Sequence, residues 1–138
     1  MRIASNRRMR AAAALTFAGV STWLAGCATF GGPESAVKSR ANDFWQARLE
    51  GRPDKAYQLT APSYRQVRDL QHYRVRNAGL GAKAVEVESV TCETERCVVR
   101  MKMAVVPPIA AMSMAPIEMY SDDIWVLEDG NWWHYEAS

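Results

Sequence analysis

The stretch WVLEDGNWWHY, residues 125–135, decides the fold of this chain. The Asp-Gly pair at 129–130 is a strong two-residue turn signal between two runs of large apolar side chains, and it predicts a β-hairpin. The expected register sets Trp125 opposite His134 and Leu127 opposite Trp132 on one face of the sheet. The other face carries large side chains too, so we expect the hairpin to be covered on both sides or partly curled; these side chains are Ile124, Val126, Trp133 and Tyr135.

The chain before this hairpin divides into a helical half and a strand half. Strands are predicted where apolar and polar residues alternate, from Lys83 to Cys92, from Cys97 to Val105 and from Ile117 to Glu128. Helices are predicted from Pro33 to Leu49, from Pro53 to Thr60 and from Ser63 to Asn77 with an interruption near Asp69. Helices followed by antiparallel strands indicate one α+β domain over residues 34–138.

Three details of the helical half are further predictions. The first helix carries an apolar stripe for the core, formed by Val37, Ala41, Phe44, Trp45 and Leu49. Ser63 and Gln66 have the spacing of a capping box. The four arginines at 65, 68, 74 and 76 are expected to form a solvated face.

Three segments together resemble the NTF2-like superfamily: Phe44-Trp45, GRPDKAYQLTAPSYR at 51–65, and the hairpin at 125–135. The resemblance implies a strongly curved antiparallel sheet wrapped around helices, which forms a cone with an internal pocket. A cystatin-like α+β sheet is the alternative fold.

The N-terminal segment ends in Leu24-Ala25-Gly26-Cys27, which resembles the lipobox of bacterial lipoproteins. Four arginines precede a fifteen-residue apolar run, which would reach roughly 22 Å, short of the ~30 Å bilayer core. The resemblance implies cleavage between Gly26 and Cys27 and a diacylglycerol on Cys27. Ala28, where an Asp would favour the inner membrane, implies sorting to the outer membrane. We therefore expect a signal peptide at 1–26, a tether at 27–33 and the domain at 34–138.

Cleavage would change the charge and the cysteine count. The full chain has 17 basic and 15 acidic residues, and four of the basic ones lie before Cys27, so the mature net charge is about −2. This gives no reason to expect a nucleic-acid partner. Cys92 and Cys97 remain as a pair in a compartment that permits disulfides. A metal site using these cysteines with His72 and His134 is the alternative, but the CxxC spacing is missing.

No catalytic or cofactor motif is present: the chain has no GxSxG, P-loop, GxGxxG or HExxH. We predict no cofactor and no metal. In NTF2-like enzymes a carboxylate or histidine acts inside the cone, and the candidate pocket polar groups here are Tyr57, Tyr64 and His134. Asp69, His72 and Tyr73 are further ionisable or hydroxyl groups of the cone. His134 shares its strand face with two tryptophans, where a histidine usually packs in the core. No pair of the ionisable groups has the spacing of a catalytic motif, so no residue is predicted to be catalytic.

The segment 107–116 has no charge, three prolines and two methionines. We name it the Met-rich lip, and we expect Ile109, Met112 and Met114 to contact a ligand or partner.

The predicted function is a non-catalytic, lipid-anchored accessory or binding module on the periplasmic side of the outer membrane. It would hold a small apolar ligand or an envelope partner. The alternatives are an isomerase- or cyclase-type enzyme and a structural homodimer.

Overall fold

The computed structural model describes residues 31–79, 81–106 and 115–137. The lipobox, tether residues 27–30 and the lip residues Ile109, Met112 and Met114 lie outside these ranges, so their roles stay predictions. Within the described ranges the order of elements is α1 (Pro33–Leu49), α2 (Pro53–Gln58), α3 (Pro62–Val67), α4 (Leu70–Arg76), β1 (Ala82–Cys92), β2 (Arg96–Val105), β3 (Ile117–Glu128) and β4 (Asn131–His134).

Helix α1 begins at Pro33, where a proline in the first turn loses no intrahelical hydrogen bond, and Glu34 favours the positive end of the helix dipole. Its core side is formed by Val37, Ala41, Phe44, Trp45 and Ala47. The predicted stripe is therefore confirmed, except that Leu49 is half-buried and Ala47 takes a core position. The helix ends before Gly51, whose φ of 66° suits glycine.

The predicted break in the third helical stretch is confirmed, because α3 and α4 are separate helices on either side of Asp69. The Asp69 carboxylate caps α4 by accepting a 2.8 Å hydrogen bond from the His72 N–H. The predicted capping box at Ser63 is wrong, since α3 is capped at Ala61 without a side-chain bond. Ser63 instead donates to Glu128 from both its N–H (3.1 Å) and its hydroxyl (2.7 Å).

The four strands form one antiparallel sheet in the order β1-β2-β3-β4. The hairpin register is confirmed, with Trp125 opposite His134 and Leu127 opposite Trp132. Its turn places Asp129 and Gly130 at φ 51° and 74°, as a type I′ turn requires. At the other hairpin Cys92 and Cys97 lie directly opposite each other and form a disulfide with an S–S distance of 2.01 Å.

The helices pack against one face of the curled sheet, and the core lies between the two layers. Phe44 of α1 meets Trp125 of β3 edge-on at 6.1 Å. Strand β4 also joins the helical layer directly, because the His134 N–H donates to the Leu59 carbonyl at 2.9 Å. This is the predicted α+β arrangement, with helices against a curled antiparallel sheet.

The outer face of the final hairpin is covered by two arginines. The guanidinium of Arg40 lies 4.5 Å from the ring centre of Trp133, and that of Arg65 lies 4.9 Å away. Arg65 also donates to the carbonyls of Gln58 and Thr60. The prediction that this side is covered is confirmed at Trp133, whereas Tyr135 on the same face is 52% exposed. The expected solvated face is wrong for Arg65, which is half-buried by this packing, and for Arg68, which is also half-buried.

Candidate functional site

A histidine lies between two carboxylates in the interior of the domain. His134 Nε2 is 3.6 Å from Asp123 Oδ2, and His134 Nδ1 is 3.4 Å from Glu136 Oε1. All three side chains are about nine-tenths buried. Asp123 Oδ2 also accepts a 2.6 Å hydrogen bond from the Trp45 indole N–H. We call His134, Asp123 and Glu136 the acid–histidine cluster.

Aromatic rings fix the orientation of the His134 imidazole. Phe44 stacks on it at 4.0 Å between ring centres, and Trp125 meets it edge-on at 5.6 Å. Burial is the largest single influence and lowers the pKa of His134, but the carboxylates of Asp123 and Glu136 together outweigh it and raise that pKa above its ordinary value. The cluster is therefore built to hold a charged imidazole at a buried position.

Three tyrosines from α2, α3 and α4 form a second interior group. The rings of Tyr57, Tyr64 and Tyr73 lie 5.6 to 6.5 Å apart. The Tyr57 hydroxyl donates to the Arg68 carbonyl at 2.7 Å. Among the described residues, the buried hydroxyls of Tyr64 and Tyr73 have no hydrogen-bond partner. Burial raises the pKa of both phenols, with a smaller contribution from the Glu136 charge, so both stay protonated.

A cavity of about 490 Å³ opens between the end of α1, the start of α2, the end of α4 and the start of β1. Its described lining consists of Arg48, Leu49, Gly51, Arg52, Pro53, Tyr73, Arg74, Asn77, Ala78, Gly79 and Ala82. The volume lies within the roughly 300–1,000 Å³ usual for small-molecule sites. Apolar side chains and three guanidinium groups line it together, and no carboxylate, histidine or cysteine is among these residues.

The sequence-predicted pocket groups occupy the interior but not the described lining of this cavity. Tyr57 and Tyr64 stand in the tyrosine group, and His134 lies in the acid–histidine cluster. His72 is exposed at the surface. Tyr73 is the residue that connects the tyrosine group to the cavity. A ligand contact by Tyr57, Tyr64 or His134 stays a prediction.

Sequence reasoning missed the two carboxylates of the cluster and the arginines of the cavity. Asp123 was expected only as part of β3, although its place two residues before Trp125 puts it on the inner face by alternation. Glu136 follows the last strand, and no pattern marks it. Arg48 and Arg74 come from different helices and meet only in the folded chain.

In the described ranges, no group of three or more His, Cys, Asp or Glu side chains is arranged to hold a metal ion. None of the helices described in the structure is long and apolar enough to cross a bilayer.

Neither a protein-family model nor a curated protein matches this chain. Among solved structures, the chain is similar to a SEC-C-motif-containing protein from Psychrobacter arcticus (12% identity, TM-score 0.58), over 76% of this chain and 61% of that one. It is also similar to a SEC-C-motif-containing protein from Rhodopseudomonas palustris (16%, TM-score 0.52), over 75% of each chain.

The chain is also similar to an NTF2-like transpeptidase structure from Campylobacter jejuni, with 13% identity and a TM-score of 0.48, over 78% of this chain and all of that one. Identities this low show the fold and nothing of activity. The likeness to the two SEC-C-motif-containing structures supports the α+β fold described above for this part of the chain.

Proposed function

We propose that this chain is a lipid-anchored, non-catalytic binding module of the outer membrane that holds a small, largely apolar ligand. The observation that carries the proposal is the cavity of about 490 Å³ beside Tyr73. Its described side chains offer apolar contact and hydrogen-bond donors, the usual composition of a small-molecule site.

The composition of the cavity favours binding over acid–base catalysis. A general acid or base needs a group that exchanges protons near the working pH. The ionisable groups among the described lining residues are guanidiniums and the Tyr73 phenol, whose raised pKa keeps it protonated. His134 has each ring nitrogen within 3.6 Å of a carboxylate, is only 7% exposed, and is not among the residues that line the cavity.

The membrane position rests on the lipobox resemblance at Cys27. The start of the described chain supports it, because Gly31 and Gly32 are exposed and α1 begins directly after them at Pro33. The six residues that follow Cys27, 28–33, span at most about 20 Å, which would hold the cavity near the membrane surface.

The experiment is extraction of the full-length protein from bacterial envelopes in a bulky detergent, followed by solvent extraction and mass spectrometry of the bound small molecules. Ala78→Trp fills the cavity from its exposed rim and should remove the co-purifying compound. Ala36→Trp, on the exposed side of α1, is the matched control and should retain it. Absence of any stoichiometric compound from the wild-type protein would contradict the proposal.

A second candidate function is isomerase- or cyclase-type acid–base catalysis, and the acid–histidine cluster is the observation that favours it. The probe is α-proton exchange into a small cyclic ketone in D₂O, followed by NMR. Exchange that the wild-type protein accelerates and His134→Gln abolishes would support catalysis. Equal rates in both proteins and in buffer would count against it.

A third candidate is a structural homodimer. The observation that favours it is the exposure of Ile117, Met119 and Tyr120 at the start of β3, each between 44% and 49%. Sedimentation of the full-length protein in detergent separates monomer from dimer. A dimer that Met119→Lys dissociates would support this candidate, and a wild-type monomer would reject it.

A further inference from the structure

The cavity carries a concentrated positive charge although the mature chain is expected to be mildly acidic. Arg48, Arg52 and Arg74 all line it. Arg52 is neutralised in part by Glu50, whose carboxylate lies 3.2 Å from its guanidinium. Within the described residues, no ion pair of 4.0 Å or less involves Arg48 or Arg74. Two arginines that line the cavity therefore have no carboxylate within 4.0 Å among the described residues.

The position of Arg48 is fixed by the aromatic side chains beneath it. Its guanidinium carbon lies 4.9 Å from the ring centre of Trp45 and 5.9 Å from that of Phe44. Cation–π stacking of this kind holds a guanidinium flat while its edge N–H groups stay available as donors. Because Trp45 is itself tied to Asp123, the support under Arg48 belongs to the rigid core.

Apart from the arginines and the Asn77 amide, the described lining of the cavity is mostly apolar. Leu49, Pro53, Ala78 and Ala82 present only hydrocarbon groups, and Tyr73 adds an aromatic ring. The small side chains at 78 and 82 leave room for an aliphatic chain against the wall. A ligand with a charged end and a hydrocarbon body would satisfy both parts of the lining.

We infer that the cavity binds a carboxylate-bearing amphiphile, with its carboxylate on Arg48 and Arg74 and its hydrocarbon part against Leu49, Pro53, Ala78 and Ala82. This inference rests on the proposed binding function and names the chemical class of the ligand. Guanidinium groups suit a carboxylate because their paired donors match its two oxygens. A ligand without charge would leave two unpaired guanidiniums beside its own apolar surface.

The test is calorimetric titration of the full-length protein in phospholipid nanodiscs, with empty nanodiscs as the blank. The probes are decanoate and its neutral isostere decanamide. We expect decanoate to bind at least tenfold more tightly, since a hydrogen bond to a charged group contributes about 1.5–3 kcal/mol. Higher salt should weaken the binding of decanoate and leave the binding of decanamide unchanged, because the charges of the cavity arginines are partly exposed.

Variants distinguish the effect of the cavity arginines on decanoate binding from the effect of the overall charge of the chain. Arg74→Gln should weaken decanoate binding by about tenfold. Arg76→Gln is the matched control: it removes the same charge from the same helix, but Arg76 does not line the cavity. Arg48→Gln with Arg74→Gln should abolish the preference for decanoate, and circular dichroism checks that this double variant is folded.

The outcomes distinguish this inference from the proposed function. Equal affinities for decanoate and decanamide would overturn the inference and leave the binding function standing. A preference for decanoate that persists in the folded double variant would also overturn it. Binding of neither probe, with no compound extracted from the wild-type protein, would overturn both.

Discussion

Replacement of Asp123 by asparagine should destabilise the interior of this protein more than any comparable change on the sheet surface. Asp123 accepts a 2.6 Å hydrogen bond from Trp45 and lies 3.6 Å from His134, with both carboxylate and imidazole about nine-tenths buried. Breaking a buried ion pair by removing one partner costs about 3–5 kcal/mol. Asparagine still accepts from Trp45, and Glu136 still faces His134. We therefore expect a loss of about 2–3 kcal/mol in the free energy of unfolding.

The same variant should change the pH dependence of stability. The pKa of His134 is raised in the folded protein, so the folded state binds its proton more tightly than the unfolded state does. The stabilisation is fully present below the unfolded pKa of about 6.5 and is lost as pH rises through the folded pKa of His134. The slope is at most about 1.4 kcal/mol per pH unit for this one proton. Without the Asp123 charge, less opposes the lowering of the His134 pKa by burial. The dependence of stability on pH should therefore become weaker or disappear.

Urea unfolding from pH 5.5 to 8.5 measures both effects, and NMR titration of the His134 ring follows its pKa directly. Asp122→Asn is the matched control, because Asp122 is the neighbouring residue on β3 and its pair with Arg100 is exposed. We expect no measurable change in that control. The reasoning is refuted if the two variants lose the same stability, or if the pKa of His134 is unchanged in Asp123→Asn.

Three further predictions concern the disulfide, the turn and the anchor. Replacing Cys92 and Cys97 by serine should cost about 2 kcal/mol, the value for a very short loop, and reduced wild type should unfold at the same urea concentration as the variant. An unchanged free energy of unfolding in the double serine variant would contradict a stabilising role of the disulfide. Gly130→Ala, at a φ of 74°, should lose about 1 kcal/mol in urea unfolding, whereas Gly81→Ala, where the new Cβ meets only a 3.6 Å contact, should lose less. Equal losses would contradict the turn argument. Cys27→Ser should abolish incorporation of radiolabelled palmitate, and labelling at the wild-type level would reject the lipobox.

Local features of the sequence were enough to predict the elements and most of their pairing. The Asp129-Gly130 turn has few low-energy alternatives, so the hairpin and its register could be derived from that dipeptide alone. Prolines at 33 and 53 marked helix starts because proline fits only the first turn. The Ser63 capping box failed because a partner 65 residues away, Glu128, took both donors.

The sites depended on contacts between distant parts of the chain. Trp45 and Asp123 are separated by 78 positions, and nothing in the spacing of either residue encodes their hydrogen bond. The cavity likewise assembles Arg48 and Arg74 from two helices against Ala82 of the first strand.

The sequence by itself determined the α+β class, the antiparallel register of the final hairpin and the pairing of Cys92 with Cys97, because each is governed by turn chemistry or by periodicity over a few residues. Only the tertiary structure decided which carboxylates face His134 and which guanidiniums lack a counter-charge. Those properties follow from burial and distance in three dimensions, which local propensity does not encode.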